Sequence, residues 1–322
     1  MSDHSFLVPF VPTRPEQLLP FAALAQWSKA GRLWQGQGTA SDTHQAFTYA
    51  AASGFRGPVG TSVSLMPFCH PYDAALRAQS LAAAMGHSVV AGFGPGAKVL
   101  QSSILGAPYR SQLGAVRDYV TIVRDLLAEG KADHEGEFYT CRAALPRMPL
   151  PPVQVGLGVL RPRMAELAGE LADVAITWLT PAAYLQDTVV PALRAGAGKT
   201  GRPVPRVVAI VPVALAGPNR DATKLALASN SGHMRLPHYT DMLSRSGIDV
   251  DMKADPEASG KALVGGDAFL YGDESEIREK FAQFTAAGVD EIVLNVTGVA
   301  MTEGGPAALR ELEALLRLVD AA

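Results

Sequence analysis

The sequence predicts an α/β fold, a closed (β/α)8 TIM barrel with insertions, on three observations. Eight short buried-type apolar runs are spread over one 322-residue chain, and a helix-forming stretch follows almost every one. The turn after the fourth run is glycine-rich, yet it is not the G-x-G-x-x-G fingerprint that an open doubly wound sheet more often carries. That open sheet is the alternative architecture, and it does not need eight strands.

The first strand is expected over 5–11 (SFLVPFV). The helix over 15–27 sets Leu18, Phe21, Ala22 and Ala25 on one side, and Pro20 kinks it or marks its true start. A second strand is expected over 32–37 (RLWQGQ), with a helix over 42–52. A third spans 58–66 (PVGTSVSLM), with a helix over 72–85. In 88–96 (SVVAGFGPG) the first half is a buried strand, and Gly92, Gly94, Pro95 and Gly96 leave only turn geometry for the second. Leu113, Val116, Val120, Val123 and Leu127 step by three and four along a helix over 113–129, which Gly130 ends.

Residues 131–152 break the rhythm, first polar and then rich in proline, with a short strand expected at 138–141. The alternation resumes at once, so they read as an excursion within one domain spanning 1–322. Strands follow over 153–157, 173–178, 206–215 and 291–296, with helices over 161–172, 182–195, 221–230 and 275–287. Gly196, Gly198 and Gly201 are expected to unwind the helix over 182–195. Asp273 and Glu276 form a capping-box signature, and Leu309, Leu312, Leu316 and Val319 face a closing helix. Residues 231–266 are polar and glycine-rich, long for a plain connection, and read as a lid or insertion.

A formal net charge of −3 leaves no basic stripe, so neither nucleic acid nor a membrane surface is an expected partner. Two cysteines, Cys69 and Cys141, cannot build a disulfide framework or a zinc site by themselves. No leader opens the chain and no apolar run approaches the roughly twenty residues of a membrane span, so a cytoplasmic location is expected. The sequence leaves open whether the chain is a monomer or a homodimer.

In a barrel of this kind the site lies in the loops after the strands. That rule selects Gln37–Gly38, residues 62–66 with Cys69 and His70, residues 93–96, 156–161 and 177–180. The set is short of ionisable groups. It holds no paired carboxylates, no metal-ligand spacing, no nucleophile elbow and no phosphate-cradling P-loop. Glycines, amides, hydroxyls and aromatics suit a large planar cofactor that brings its own reactivity. His70 is the one ionisable side chain that the element order places at the mouth, as proton donor, substrate contact or structural loop residue. Trp178 is a cofactor wall or a core residue, and His233, His238 and Tyr239 are substrate contacts or surface residues of 231–266. Cys69 reads as a small buried hydrophobe rather than a nucleophile.

GTSV (60–63), His70-Pro71, GFGPG (92–96), APYRSQLGAVRDYVTIVRDLLAEG (107–130), PPVQVGLGVLRPRMAELAGELAD (151–173) and YGDESEIREKFAQFTAAGVDEIVLNV (271–296) together resemble the luciferase-like flavin and deazaflavin oxidoreductases, with the F420-dependent branch nearest. The resemblance spans nearly the whole chain and is weakest over 231–266. It implies an enzyme whose deazaflavin ring is flanked by Gln37, Ser62, Val63, Gly92, Phe93 and Gly94. The phosphate-bearing tail would run to Gly158 and Arg161, with Arg163 adding charge and Thr180 a second tail contact. Thr180 equally fits a helix cap, and Arg163 a solvated helix residue. The implied reaction is hydride transfer between F420 and an activated C=C or C=N of a small molecule. The alternatives are an FMN-dependent monooxygenase working with a flavin reductase, and a barrel that binds ligand without turnover. Where the family's sugar-phosphate dehydrogenases carry a histidine and a glutamate, this chain has Gly38 and Ala97, which argues against glucose-6-phosphate as substrate. The resemblance also implies a cis Ser62–Val63 bond; Ser62 is small, and Gly60 lets the strand bend just before it.

Overall fold

The computed structural model describes residues 3–320. Eight parallel strands close on themselves: β1 Asp3–Leu7, β2 Leu33–Gln35, β3 Val59–Thr61, β4 Val89–Gly94, β5 Val153–Gly158, β6 Val174–Trp178, β7 Arg206–Leu215 and β8 Glu291–Asn295. The register runs Phe6↔Leu33, Leu33↔Val59, Val59↔Val89, Val89↔Val153, Gly156↔Val174 and Val174↔Arg206. It closes through Val208↔Glu291 and Asp3↔Glu291. All eight strands expected from the sequence are present, most of them shorter than the apolar runs that announce them. Two short strands extend the sheet, Ser64–Leu65 against β4 and Leu270–Gly272 against β7.

The two-residue period of the strands divides the core. Leu7, Trp34, Val90, Val174, Ile176, Val208, Ile210 and Val293 fill the inside of the barrel, while Phe6, Leu33, Ala91, Leu157 and Leu294 pack outward against helices. Glycines on one wall make room for large residues from another. A Cβ on Gly60 would lie 2.5 Å from the Trp34 ring, and one on Gly92 would lie 2.5 Å from Ile176 Cδ1 and 2.2 Å from the Thr61 carbonyl oxygen. A polar plug seals the amino-terminal end. Glu291, 2% exposed, accepts from Ser5 Oγ at 2.6 Å, Trp34 Nε1 at 2.6 Å and Arg206 Nη2 at 2.7 Å.

The connections meet some of the expectations and depart from others. Pro20 sits in the first turn of the helix Leu19–Trp27, so it marks a start and not a kink. The helix Gln112–Glu129 ends at Gly130, whose φ of 72° is left-handed. In place of one short strand over 138–141, Lys131–Glu135 and Thr140–Ala144 pair as an antiparallel hairpin. The helix Val190–Thr200 runs straight through Gly196 and Gly198 and stops only at Gly201. Gly196 is there for close packing, since a Cβ on it would lie 1.9 Å from the Glu166 carbonyl oxygen in the helix Pro162–Leu171. Residues 231–266 are structured by the helices Pro237–Arg245 and Pro256–Gly265 and a 3-10 turn at His233–Arg235. Among the described residues no helix is long and apolar enough to cross a membrane, and no group of three or more His, Cys, Asp or Glu is placed to hold a metal ion.

Candidate active site at the carboxyl-terminal mouth of the barrel

One wall of the mouth is nearly all backbone. β3 ends in a cis peptide bond between Ser62 and Val63, as the resemblance implies. The Val63 side chain then fills space that two neighbouring glycines leave: a Cβ on Gly94 would lie 2.7 Å from Val63 Cγ2, and one on Gly158 would lie 3.4 Å from Val63 Cγ1. Gly36 faces the Ser62 carbonyl oxygen, 3.3 Å from its Cβ position. Gln37 Oε1 accepts from the Leu65 backbone N–H at 2.8 Å, tying the loop after β2 to the strand beyond the cis bond. Val63 and Trp178 cover the interior core from above, so strands β2 to β5 offer a flat, side-chain-poor surface.

The opposite wall is aromatic. Trp178 ends β6, and its indole stacks on His233, with centroids 5.1 Å apart and planes at 30°. Tyr239 meets His233 edge-on at 4.9 Å. Leu179, fully buried, holds φ at 59°, a conformation that bulky residues rarely adopt and that turns the chain sharply beside the site. Burial, with His238 adding charge, pushes the His233 imidazole down to about 4, so it is neutral at physiological pH. Burial likewise raises the Tyr184 and Tyr239 hydroxyls.

Several shielded polar atoms in these elements have no partner: Ser62 Oγ, Trp178 Nε1, Tyr184 Oη, His233 Nδ1 and Asn295 Nδ2. Asn295 closes β8, and its Oδ1 is already used by Thr297, accepting from Oγ1 at 2.6 Å and from the backbone N–H at 3.0 Å. An unmade buried hydrogen bond costs about 1–3 kcal/mol, and a bound ligand with complementary edges would recover it.

Of the remaining expected residues, some lie elsewhere and some take the expected place. Phe93 points away from the mouth, 3% exposed, with its ring 5.4 Å from Tyr119. Gly92 lies below the mouth and serves strand packing. Thr180 does not cap a helix; Pro181 holds that position, and the Thr180 hydroxyl donates to the Trp178 carbonyl at 3.1 Å. Arg161 occupies the cap position of the helix Pro162–Leu171, and its guanidinium lies 3.6 Å from Asp241 in the helix Pro237–Arg245. His70 Nδ1 accepts from the Tyr72 backbone N–H at 3.1 Å, and Nε2 lies 3.1 Å from the Thr140 carbonyl oxygen. The ring therefore caps the helix Pro71–Met85 and anchors the hairpin, with both nitrogens engaged. Burial raises the Cys69 thiol, which keeps it protonated beside Tyr119 Oη at 3.5 Å. Asn295, Tyr184 and Leu179 are not among the residues that the sequence singles out. The rule that strand ends carry the site could have found Asn295; nothing in the sequence marks the backbone of Leu179.

The surface of Val63, Gly94 and Gly158 fits the flat ring of a flavin or deazaflavin, and the partnerless donors opposite fit its polar edge. The helix start at Pro162 and Arg161 fit a phosphate-bearing tail.

Residues 5–291 match the family described as luciferase-like monooxygenase. The 5,10-methylenetetrahydromethanopterin reductase of Methanolobus tindarius is 27% identical over 312 residues, covering 90% of this chain and 93% of that protein. The coenzyme F420-dependent tetrahydromethanopterin reductase of Methanopyrus kandleri superposes with a TM-score of 0.74 at 19% identity, covering 99% of this chain and 96% of that one. The EDTA monooxygenase of Chelativorans sp. BNC1 does so with a TM-score of 0.78 at 12% identity, covering 99% and 93%. With the match running over most of the chain, this protein belongs to the luciferase-like monooxygenase family.

Proposed function

We propose that the chain is an oxidoreductase that uses coenzyme F420 to move a hydride between the deazaflavin C5 and an activated C=C or C=N of a small organic molecule. The observation that carries this reading is the packing of Val63 against Gly94 and Gly158, which leaves one side of the mouth flat. The likeness to reductases, one of them F420-dependent, supports F420 over FMN. When bound, the deazaflavin supplies the hydride.

The chain's own part is placement, exclusion of water and management of one proton. Ser62 Oγ, Trp178 Nε1 and Asn295 Nδ2 present hydrogen-bonding atoms without internal partners. Arg161, with Arg163 beside it, supplies positive charge for a tail. Trp178, His233 and Tyr239 form an uncharged wall for substrate. Tyr184 Oη, kept protonated, can give a proton. Nε2 of His70 can do so only by releasing Thr140. Residues 231–266, which carry His233 and Tyr239, are read as a lid within a single barrel domain; slower hydrogen exchange there on adding F420 would support this.

The FMN monooxygenase reading is favoured by the fold shared with EDTA monooxygenase. The two separate in one assay. Reduced F420 is mixed anaerobically with a panel of enones and cyclic imines, and the return of the oxidised cofactor's absorbance is followed. Turnover without dioxygen supports the F420 reading. Turnover only with reduced FMN and dioxygen contradicts it.

A further inference from the structure

A second cavity, of about 260 Å³, opens at the amino-terminal end of the barrel, the far side from the mouth. The helices Leu19–Trp27 and Thr43–Ala52, the end of Pro71–Met85 and the starts of β2 and β3 enclose it. The volume falls just below the roughly 300–1,000 Å³ of drug-sized sites, which suits a smaller ligand. Its body is apolar, with Ala22, Phe47, Ala50 and Met85 on the walls. The charged residues that line it are of one sign. Arg32 and Arg56 reach it, and no carboxylate does.

Arg32 is the unusual member. It is 8% exposed, and among the described residues neither it nor Arg56 forms an ion pair. Nη1 donates to the Val59 and Ser88 carbonyls at 2.9 and 3.0 Å, and Nη2 reaches Ser88 Oγ at 3.4 Å. Nε has no partner at all. Glu291, the carboxylate that most strongly affects it, is already held by Ser5, Trp34 and Arg206. A buried guanidinium served by neutral acceptors and the Trp34 ring, whose centroid lies 5.9 Å from Cζ, is incompletely compensated, and the Nε side of the fork is one that a carboxylate can grip with two parallel bonds.

We propose that this cavity binds a small molecule with an apolar body and one carboxylate. The carboxylate meets the Nε side of Arg32, and the body lies against Phe47, Ala50 and Met85. Arg56, at the exposed rim, draws the anion in. The site is separate from the barrel mouth, so the proposal does not depend on the cofactor reading.

The test uses the full chain with ¹³C-labelled methyl groups, titrated with octanoate and with octanol. Octanoate is expected to shift the Met85 and Leu33 methyl signals saturably, and octanol to bind at least tenfold more weakly, about 1.4 kcal/mol. Ala25→Phe, which adds a ring to the cavity lining, is expected to abolish octanoate binding, and Arg32→Gln to weaken it at least tenfold. If Arg32→Gln does not fold, the wild-type methyl shifts and Ala25→Phe decide. The proposal is overturned if octanoate gives no saturable shift at Met85, if octanol binds equally well, if Ala25→Phe binds like the wild type, or if the shifts appear only at barrel-mouth methyls such as those of Val63.

Discussion

The Trp178 indole at the end of β6 lies on the His233 imidazole, 5.1 Å between centroids and 30° between planes. One ring belongs to the barrel and the other to the segment over 231–266, so the contact joins that segment to the mouth. It also holds His233 in a setting that resists protonation.

The first prediction follows from that. The folded His233 titrates near 4 and the unfolded ring near its ordinary 6.5. The unfolded chain therefore binds the extra proton first, and stability falls as pH drops through the window between these values. The linkage amounts to about 2 kcal/mol between pH 7 and pH 5. His238, also lowered by burial, acts in the same sense. Urea midpoints at the two pH values should differ for the wild type and differ less for His233→Phe. An equal pH response in both proteins would show that His233 is not shielded.

Gly94 and Gly92 separate site from scaffold, although only one residue lies between them. Gly94→Val drives its side chain into Val63, 2.7 Å from the Cβ position, and should weaken cofactor binding more than tenfold while unfolding stays cooperative. Gly92→Ala meets the Thr61 carbonyl at 2.2 Å and should destabilise the fold by roughly 1–3 kcal/mol. Thermal unfolding and binding per folded molecule, measured on both variants, check the pair. Loss of stability without loss of affinity in Gly94→Val would make that glycine structural too.

His70 is expected to act through its cap. His70→Ala should lose about 1 kcal/mol of stability, and His70→Asn should restore most of it, because asparagine caps helices well. Turnover should be unchanged in the asparagine variant. A hundredfold loss of turnover at unchanged stability would instead make His70 the proton donor.

Two glycines of one helix should respond oppositely. Gly196→Ala forces its Cβ to 1.9 Å from the Glu166 carbonyl oxygen and should destabilise the protein by several kcal/mol. Gly198→Ala meets nothing within 4 Å and should stabilise it by about 0.5–1 kcal/mol, the helix-propensity difference. Denaturant melts of the two variants decide the matter.

These contrasts show what the sequence carries and what it hides. The strands were legible because parallel strands buried on both faces leave unbroken apolar runs such as VVAGFG and RVVAIVPVAL. The direction of a side chain was harder to read. Phe93 lies in the glycine-rich stretch, but the two-residue period turns it outward onto Tyr119. Glycines in 182–201 read as breakers because propensity says nothing of a neighbouring helix packed against them. In 231–266 the polar, glycine-rich composition gave no sign of two helices, although Pro237 and Pro256 occupy first-turn positions and open them. The partnerless atoms of Ser62, Trp178 and Asn295 come together only when β3, β6 and β8 share one barrel.

The most direct test of the central claim is an equilibrium titration of the purified chain with F420 and, separately, with FMN, followed by cofactor fluorescence. The account predicts saturable micromolar binding of F420, weakened in Gly94→Val, and no comparable binding of FMN. Tight FMN binding with none for F420 would contradict it.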